Sequence, residues 1–225
     1  MKPANRSIIQ GHHAVRQAVW YFDFISPYAY LQFHQIPRLP EDVTVTYRPI
    51  LFAGLLNHWG QLGPAEIPAK KSHTFLLSNW RAQQLGLPFK APPRHPFNPL
   101  TVLRLAIAKG SDRDTIGTIF DHIWGTGHDG QAPDSMAALA AKLDIDDLTA
   151  ATGEQAVKDA LRANTEAAIA AGGYGVPSFV IDGNLFWGDD MFDMMLAWLA
   201  DPAVLDNAEA QRIMDLEPAA ERRRG

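Results

Sequence analysis

The sequence contains no cysteine among its 225 residues. This absence excludes disulfide bonds, thiolate metal sites and a protein thiol nucleophile together. Any thiol chemistry performed by this chain must therefore use a thiol that belongs to a small molecule. The eight histidines show no HExxH pattern or other ligand spacing, so we predict no metal site.

Long apolar runs are also lacking. No segment approaches the ~18 consecutive apolar residues of a membrane span, and residues 1–17 lack the apolar stretch and cleavage site of a secretory signal. The net charge of −5 is mild and does not favour broad nucleic-acid binding. The basic run Arg222, Arg223 and Arg224 is interpreted as a solvated tail. We expect a cytoplasmic protein with a disordered leader at residues 1–17 and no membrane or nucleic-acid partner.

The first fifty residues alternate between strand and helix patterns. Residues 18–25 (AVWYFDFI) are aromatic and β-branched, which predicts a strand. Ser26 and Pro27 then predict a helix start, with the serine as the cap and the proline at the first helical position, and the helix runs to Ile36. Residues 43–47 (VTVTY) predict a second strand, which a right-handed crossover would place parallel to the first.

The middle of the chain has helical patterns. We predict helices over residues 67–85, 100–109, 134–143 and 154–171. Ser111, with Asp114 three residues later, predicts the cap of one more helix. The apolar face of that helix follows the spacing i, i+3, i+4, i+7 and i+8, at Ile116, Ile119, Phe120, Ile123 and Trp124. Residues 53–172 are therefore predicted to form a helical insertion domain.

Strand patterns return near the end of the chain. Residues 177–181 and 184–187 flank Asp182–Gly183, which is a hairpin signal. Residues 189–199 predict a final helix with two carboxylates at its positive end. The order is βαβ, then a helical block, then ββα. We therefore predict an α/β fold, a thioredoxin-like domain over residues 18–52 and 173–201 interrupted by a large all-helical insertion, with a tail at 202–225.

Three features could carry chemistry, and each has a simpler explanation. The Ser26 hydroxyl lies beside the unpaired N–H groups of a helix start, but it could be only a helix cap. Pro177 opens a strand and could follow a cis bond, or it could be an ordinary proline at a strand start. Asp189 and Asp190 could hold the head of an α-amino acid, or they could only stabilise the helix dipole.

Together and in this order, three segments resemble the 2-hydroxychromene-2-carboxylate isomerase family. They are residues 22–28 (FDFISPY), residues 175–177 (GVP) and residues 182–190 (DGNLFWGDD). That family is related to kappa-class glutathione transferases and, through a thioredoxin fold with a helical insertion, to DsbA. The resemblance covers roughly residues 18–200, and it implies glutathione as the cofactor and a homodimer.

The resemblance also implies roles for single residues. Ser26 matches the family's active-site serine, which hydrogen-bonds the glutathione sulfur. Pro177 matches the cis-proline, and the backbone of Val176 pairs with the cysteinyl unit of the tripeptide. Asp189 and Asp190 fall where the family holds the γ-glutamyl end. Asp189 replaces a common Asn or Ser, so its carboxylate would repel the γ-glutamyl carboxylate unless it points away.

Gln61 and Lys70 complete the cofactor site implied by the resemblance. Gly60–Gln61 falls where relatives often have Gly-Asn, and Lys70 matches a lysine near the glycyl carboxylate. The substrate end is less specified, because Lys70, Arg81 and Arg94 could each meet a substrate carboxylate or be a solvated surface charge. The candidates for an aromatic pocket wall are Phe52, Trp59, His95 and Trp187.

In such a family the reaction is a cis–trans isomerisation. A thiolate adds to a conjugated double bond, the adduct rotates and the thiolate is expelled, which interconverts 2-hydroxychromene-2-carboxylate and trans-o-hydroxybenzylidenepyruvate in aromatic catabolism. Two alternatives remain open. One is a kappa-like glutathione transferase or peroxidase that acts on another electrophile. The other is a non-catalytic thioredoxin-fold binding protein, against which the presence of Ser26, Lys70 and Asp190 argues.

Overall fold

The computed structural model describes residues 15–220. Residues 1–14 and 221–225 lie outside the described part, and with them most of the expected leader and the run Arg222 to Arg224. The first strand, β1 (Arg16–Phe22), begins two residues inside the segment that the sequence assigned to the leader.

The four strands within residues 15–220 form one sheet in the order β2-β1-β3-β4. β1 pairs in parallel with β2 (Val43–Pro49), as the crossover rule predicts. β3 (Ser178–Ile181) runs antiparallel to β1 and to β4 (Asn184–Trp187). The α/β, thioredoxin-like order βαβ…ββα is therefore confirmed. The first strand ends three residues before its predicted end at residue 25, and residues 24–25 form a turn.

The helix α1 (Pro27–Gln35) fills the first crossover and ends in a short 3₁₀ turn, Ile36–Arg38. The region between β2 and β3 is helical, as predicted. Its helices are α2 (Phe52–Trp59), α3 (Pro68–Gln84), α4 (Leu100–Ala108), α5 (Arg113–Phe120), α6 (Pro133–Lys142), α7 (Leu148–Gly153) and α8 (Gln155–Ala170).

Two details of the helical region differ from the sequence prediction. The cap of α5 is Asp112 and not Ser111, because the Asp112 carboxylate accepts a hydrogen bond from the Thr115 amide at 2.9 Å. The predicted apolar face of this helix is buried, and it continues from α5 into a π-helical turn, Asp121–Gly125, which carries Trp124. The helices α2 and α7 were not predicted individually.

The last helix also starts later than predicted. α9 (Phe192–Ala200) has Asp193 in its first turn, so Asp189 and Asp190 lie before the helix, in the turn after β4. The prediction that the helix begins at residue 189 was wrong, so neither aspartate lies in its first turn. The tail contains a further short helix, α10 (Ala208–Met214), which buries none of its side chains.

One apolar core joins the sheet to the helical region. The rings of Trp20, Phe22 and Phe24 continue from β1 into those of Phe120 and Trp124 in the helical region, and all five are fully buried. Phe24 and Phe120 are 4.7 Å apart between centroids. The helical region therefore packs directly behind the strand that leads to Ser26. Within residues 15–220 no helix is both long and apolar enough to cross a membrane.

Candidate functional site

The serine singled out in the sequence lies at the junction of β1 and α1. Its side-chain oxygen accepts a hydrogen bond from the Ala29 amide at 3.2 Å, which makes Ser26 the N-cap of α1. The same hydroxyl donates to the Val176 carbonyl at 3.4 Å, and the residue is only 7% exposed. Ser26 is thus a cap and also a hydroxyl directed at the loop before β3, so the two interpretations do not exclude each other.

Sheet pairing explains why that loop lies there. β3 is antiparallel to β1, and Tyr21 near the end of β1 pairs with Ser178 at the start of β3. The segment just before β3 therefore lies beside the end of β1, where Ser26 follows. The Val176–Pro177 peptide bond in this segment is cis, as the resemblance implies.

A buried carboxyl supports the turn that carries Ser26. Asp23 is completely buried, and its two oxygens accept hydrogen bonds from the amides of Ile25 at 3.0 Å and Phe52 at 2.9 Å. The pKa of Asp23 is raised to about 7, because the effect of burial exceeds the opposite effect of the two amide hydrogen bonds. Asp23 therefore joins the serine turn to the start of α2. This role of Asp23 was not predicted from the sequence. The available signal was a single carboxyl inside the otherwise apolar, aromatic run of residues 18–25.

The two aspartates after β4 are in different environments. Asp189 is buried, and its carboxylate accepts a hydrogen bond from Gln35 of α1 at 2.6 Å and contacts the Arg81 guanidinium of α3 at 2.5 Å. Burial raises the pKa of Asp189, and Arg81 opposes that rise. Asp190 is exposed. Of the two, Asp190 is the one whose carboxylate faces solvent.

Arg81 is therefore not the solvated surface charge that the sequence suggested. Its side chain is 29% exposed and pairs with the Asp189 side chain, which is 2% exposed. The positive charge of Arg81 neutralises the carboxylate that was expected to repel a γ-glutamyl group. Arg94, the other arginine considered, pairs with Asp129 at 2.5 Å. Gln35, the second partner of Asp189, was not predicted from the sequence. Its only sequence signal is its position four residues after the buried Leu31, on the same helix face.

Tyr28, the residue after the Ser-Pro pair, lies between these groups. Its phenol is placed beside Thr74 and Ser78 of α3 and near both aspartates. Burial raises the pKa of Tyr28, so the phenol stays protonated at neutral pH. The Tyr28 amide, in the first turn of α1, has no hydrogen-bond partner among residues 15–220.

Aromatic side chains surround the loop before β3. Trp59, Tyr174 and Trp187 are each 37–41% exposed. The Trp59 indole donates to the Gly173 carbonyl at 2.9 Å, and the rings of Tyr174 and Trp187 are 4.9 Å apart. Trp187 lies so close to Gly175 that a Cβ there would be 2.1 Å from the indole nitrogen. The structure thus places two of the predicted pocket residues, with Tyr174, beside Val176–Pro177.

The remaining predicted residues are more dispersed. Phe52 is half-buried at the start of α2, and its amide contacts Asp23. His95 is half-buried, with its Nε2 at 2.9 Å from the Ile25 carbonyl. Gln61 follows α2 and Lys70 lies in the first turn of α3. Both are exposed, and their side chains make no hydrogen bond to another residue of the described chain.

This arrangement can stabilise an anion beside Ser26. At 3.4 Å the hydroxyl is only weakly engaged by the Val176 carbonyl, so its proton can be redirected to a stronger, charged acceptor. The unpaired Tyr28 amide and the N-terminal end of the α1 dipole would also stabilise a negative charge at this position. The site offers a hydrogen-bond donor and no nucleophilic thiol of its own.

Comparisons with known proteins agree with this description. The sequence-family model named DsbA-like thioredoxin domain matches residues 18–200. A 2-hydroxychromene-2-carboxylate isomerase from Sphingobium xenophagum is 28% identical over 191 residues, covering 81% of this chain and 97% of the relative. Glutathione S-transferase kappa 2 from Caenorhabditis elegans is 26% identical over 205 residues, covering 81% of this chain and 91% of the relative.

A solved structure of a 2-hydroxychromene-2-carboxylate isomerase has the same fold. It superposes with a TM-score of 0.72 at 22% sequence identity, and the match covers 86% of this chain and 98% of that chain. The resemblance read from the three sequence segments is thus confirmed at the level of family and fold.

Proposed function

The chain belongs to the DsbA-like thioredoxin-domain family, and on that premise we propose that it is a glutathione-dependent cis–trans isomerase. Its proposed reaction interconverts 2-hydroxychromene-2-carboxylate and trans-o-hydroxybenzylidenepyruvate in the catabolism of aromatic compounds. The observation that carries the proposal is the Ser26 hydroxyl, which donates to the Val176 carbonyl in a chain that has no cysteine. Relatives named as isomerases of this substrate support the choice of reaction.

The residues present fit a bound tripeptide thiol. Ser26 would donate to the sulfur, and the backbone of Val176 would pair with the cysteinyl unit. Asp190 would take the α-ammonium of the γ-glutamyl end, because it is exposed and Asp189 is engaged by Arg81. Gln61 and Lys70 carry exposed polar groups that would meet the glycyl end.

The role of Ser26 is to lower a thiol pKa, and the energetics suffice. A free thiol has a pKa of about 8.5 and is mostly protonated at neutral pH. A hydrogen bond to a charged acceptor contributes about 1.5–3 kcal/mol. At about 1.4 kcal/mol per pKa unit, one such bond lowers the thiol pKa by about one to two units. Bound glutathione would supply the thiolate that adds to the conjugated double bond and leaves after rotation.

The aromatic side chains would form the substrate wall. Trp59 and Trp187 are partly exposed and contact the loop that leads to Val176, beside which the sulfur would lie, and Tyr174 packs against Trp187. Phe52 lies at the start of α2, which Asp23 ties to the serine turn. Flat apolar surfaces of this kind suit an aromatic keto-acid, since aromatic rings stack favourably on one another.

We also propose that the enzyme acts as a homodimer. Leu76 and Trp80 are four residues apart on α3 and both exposed, and Leu62 is exposed in the loop before that helix. Exposed apolar side chains on one face are typical of subunit contacts. Light scattering after gel filtration would report the mass, and a monomer at micromolar concentration would contradict the dimer.

A second candidate reaction uses the same cofactor site. The Caenorhabditis elegans relative, named glutathione S-transferase kappa 2, has nearly the same identity to this chain as the isomerases. A kappa-like transferase would form a stable conjugate, and an isomerase would consume no glutathione. Measuring free thiol before and after complete turnover separates these two reactions.

The test of the proposal follows the ultraviolet spectrum of the chromene carboxylate with enzyme, with and without glutathione. We expect conversion only with glutathione, and slower conversion with a higher bound-thiol pKa for Ser26→Ala. Because this change also removes a helix cap, Asp147→Ala is the matched control, since it removes the cap of α7. Conversion that is independent of glutathione, or an unchanged thiolate titration in Ser26→Ala, would refute the proposal.

A further inference from the structure

The turn between β1 and Ser26 is largely covered by the helical region, and both carbonyl groups at its centre bond to side chains of that region. The Ser26 amide donates to the Asp23 carbonyl at 3.1 Å, which closes a β-turn with Phe24 and Ile25 at its centre. Phe24 is completely buried. Carbonyls at the centre of a surface turn normally face water, and buried ones need a protein donor.

The carbonyls of Phe24 and Ile25 each accept a hydrogen bond from a side chain of the helical region. The Trp124 indole N–H donates to the Phe24 carbonyl at 2.8 Å. The Nε2 atom of His95 lies 2.9 Å from the Ile25 carbonyl. Because a carbonyl only accepts hydrogen bonds, Nε2 must carry the imidazole proton, and Nδ1 is then the bare nitrogen.

The surroundings of His95 hold it in this orientation. Its ring packs edge-on against Phe75 at 5.0 Å and Phe97 at 6.1 Å between centroids, and it lies 5.8 Å from the Trp124 ring. Its Nδ1 atom is buried without a hydrogen-bond partner among the described residues. Burial lowers the pKa of His95, so the ring is neutral at physiological pH.

We propose that His95, together with Trp124, is a positioning residue that holds the Phe24–Ile25 turn so that the Ser26 hydroxyl stays directed at its ligand. This inference rests on the proposed function only for the identity of that ligand. It also changes the interpretation of His95, which the sequence suggested as a pocket wall. Its donor nitrogen is used by the protein backbone one residue before the serine.

The geometry explains why the donors matter. Without a donor, the Ile25 peptide group would rotate toward another partner, and Ile25 adjoins Ser26 directly. Small displacements of a catalytic group weaken its action strongly, so we expect His95→Leu to lower kcat by about tenfold or more. KM for the chromene substrate should change less, because His95 touches the turn and not the aromatic wall.

Three variants separate positioning from packing. His95→Leu removes the donor, His95→Gln retains an N–H that can reach the Ile25 carbonyl, and Phe75→Leu loosens the packing without removing a donor. We expect the pKa of the bound glutathione thiol to rise by about half a unit or more in His95→Leu. Little change is expected in the other two variants. Trp124→Phe also removes an N–H donor to the turn, but it replaces a two-ring side chain with a single ring in the buried core. Its effect should therefore be at least as large as that of His95→Leu, because loosened packing adds to the lost donor.

A second measurement does not depend on glutathione. Amide hydrogen exchange of Ile25 and Ser26, whose N–H groups are bonded to Asp23, should accelerate in His95→Leu and Trp124→Phe and not in His95→Gln. Nitrogen NMR of the wild-type protein should show the Nε2–H tautomer of His95, which tests the contact even if a variant does not fold.

The outcomes distinguish the two proposals. A wild-type protein that binds no glutathione, yet shows the expected exchange pattern and tautomer, would overturn the proposed function and leave the positioning role supported. A wild-type protein that lowers the thiol pKa, with neither that pKa nor the amide exchange altered in His95→Leu, would overturn the positioning role. The Nδ1–H tautomer in the wild-type protein would overturn it as well.

Discussion

Replacing Arg81 with methionine would leave the buried carboxylate of Asp189 without its positive partner. Two unit charges 4 Å apart attract by about 4 kcal/mol at an effective dielectric constant of 20. Removing one member of a buried pair typically costs about 3–5 kcal/mol. Because 29% of the Arg81 side chain is exposed and Gln35 still donates to Asp189, we expect a loss of about 2–4 kcal/mol in unfolding free energy at pH 8.

The loss should depend on pH in a definite direction. Burial already raises the pKa of Asp189, and removing Arg81 raises it further. A carboxyl with a raised pKa in the folded state contributes most stability when it is protonated, and that stability is lost as the pH rises through the folded pKa. The deficit of Arg81→Met against the wild type should therefore shrink as the pH falls from 8 to 5.

Urea denaturation at pH 8 and pH 5 measures this effect as a shift of the midpoint at constant m-value. Arg162→Met is the control, because Arg162 forms exposed ion pairs on α8 that are worth little. A deficit below about 0.5 kcal/mol, or one of equal size at both pH values, would show that Arg81 does not neutralise a buried carboxylate.

Two further substitutions test the supports of the site. The pKa of Asp23 is about 7 in the folded protein against a usual 3.8, so wild-type stability should fall by up to about 4 kcal/mol between pH 4 and pH 8. Asp23→Asn should lack that decline, and equal slopes in urea titrations of the two proteins would contradict it. Gly175→Ala should displace the Trp187 indole, costing about 1–3 kcal/mol and weakening retention on glutathione resin. Gly153→Ala, where a Cβ meets nothing within 4 Å, should do neither, and equal behaviour of both alanine variants would contradict the contact.

Much of the fold follows from local pattern. The strand β4 has the predicted bounds, and α1 and α4 begin at the predicted residues, because alternation, apolar spacing and caps are properties of neighbouring residues. The predicted ends of strands and helices were wrong where contacts with distant parts of the chain determine them. Residues 24–25 continue the strand pattern of β1, but buried donors from the helical region hold them in a turn.

Three properties of this protein follow from its amino-acid order alone: it has no thiol of its own, Ser26 begins a helix after a strand, and the order of elements is thioredoxin-like. Tertiary packing determines that Asp189 turns inward to Arg81 while Asp190 faces solvent, although both are aspartates in one turn. It also determines that His95 serves the serine turn. The physical reason is that a buried charge or carbonyl needs a specific partner, and these partners come from helices far away along the chain.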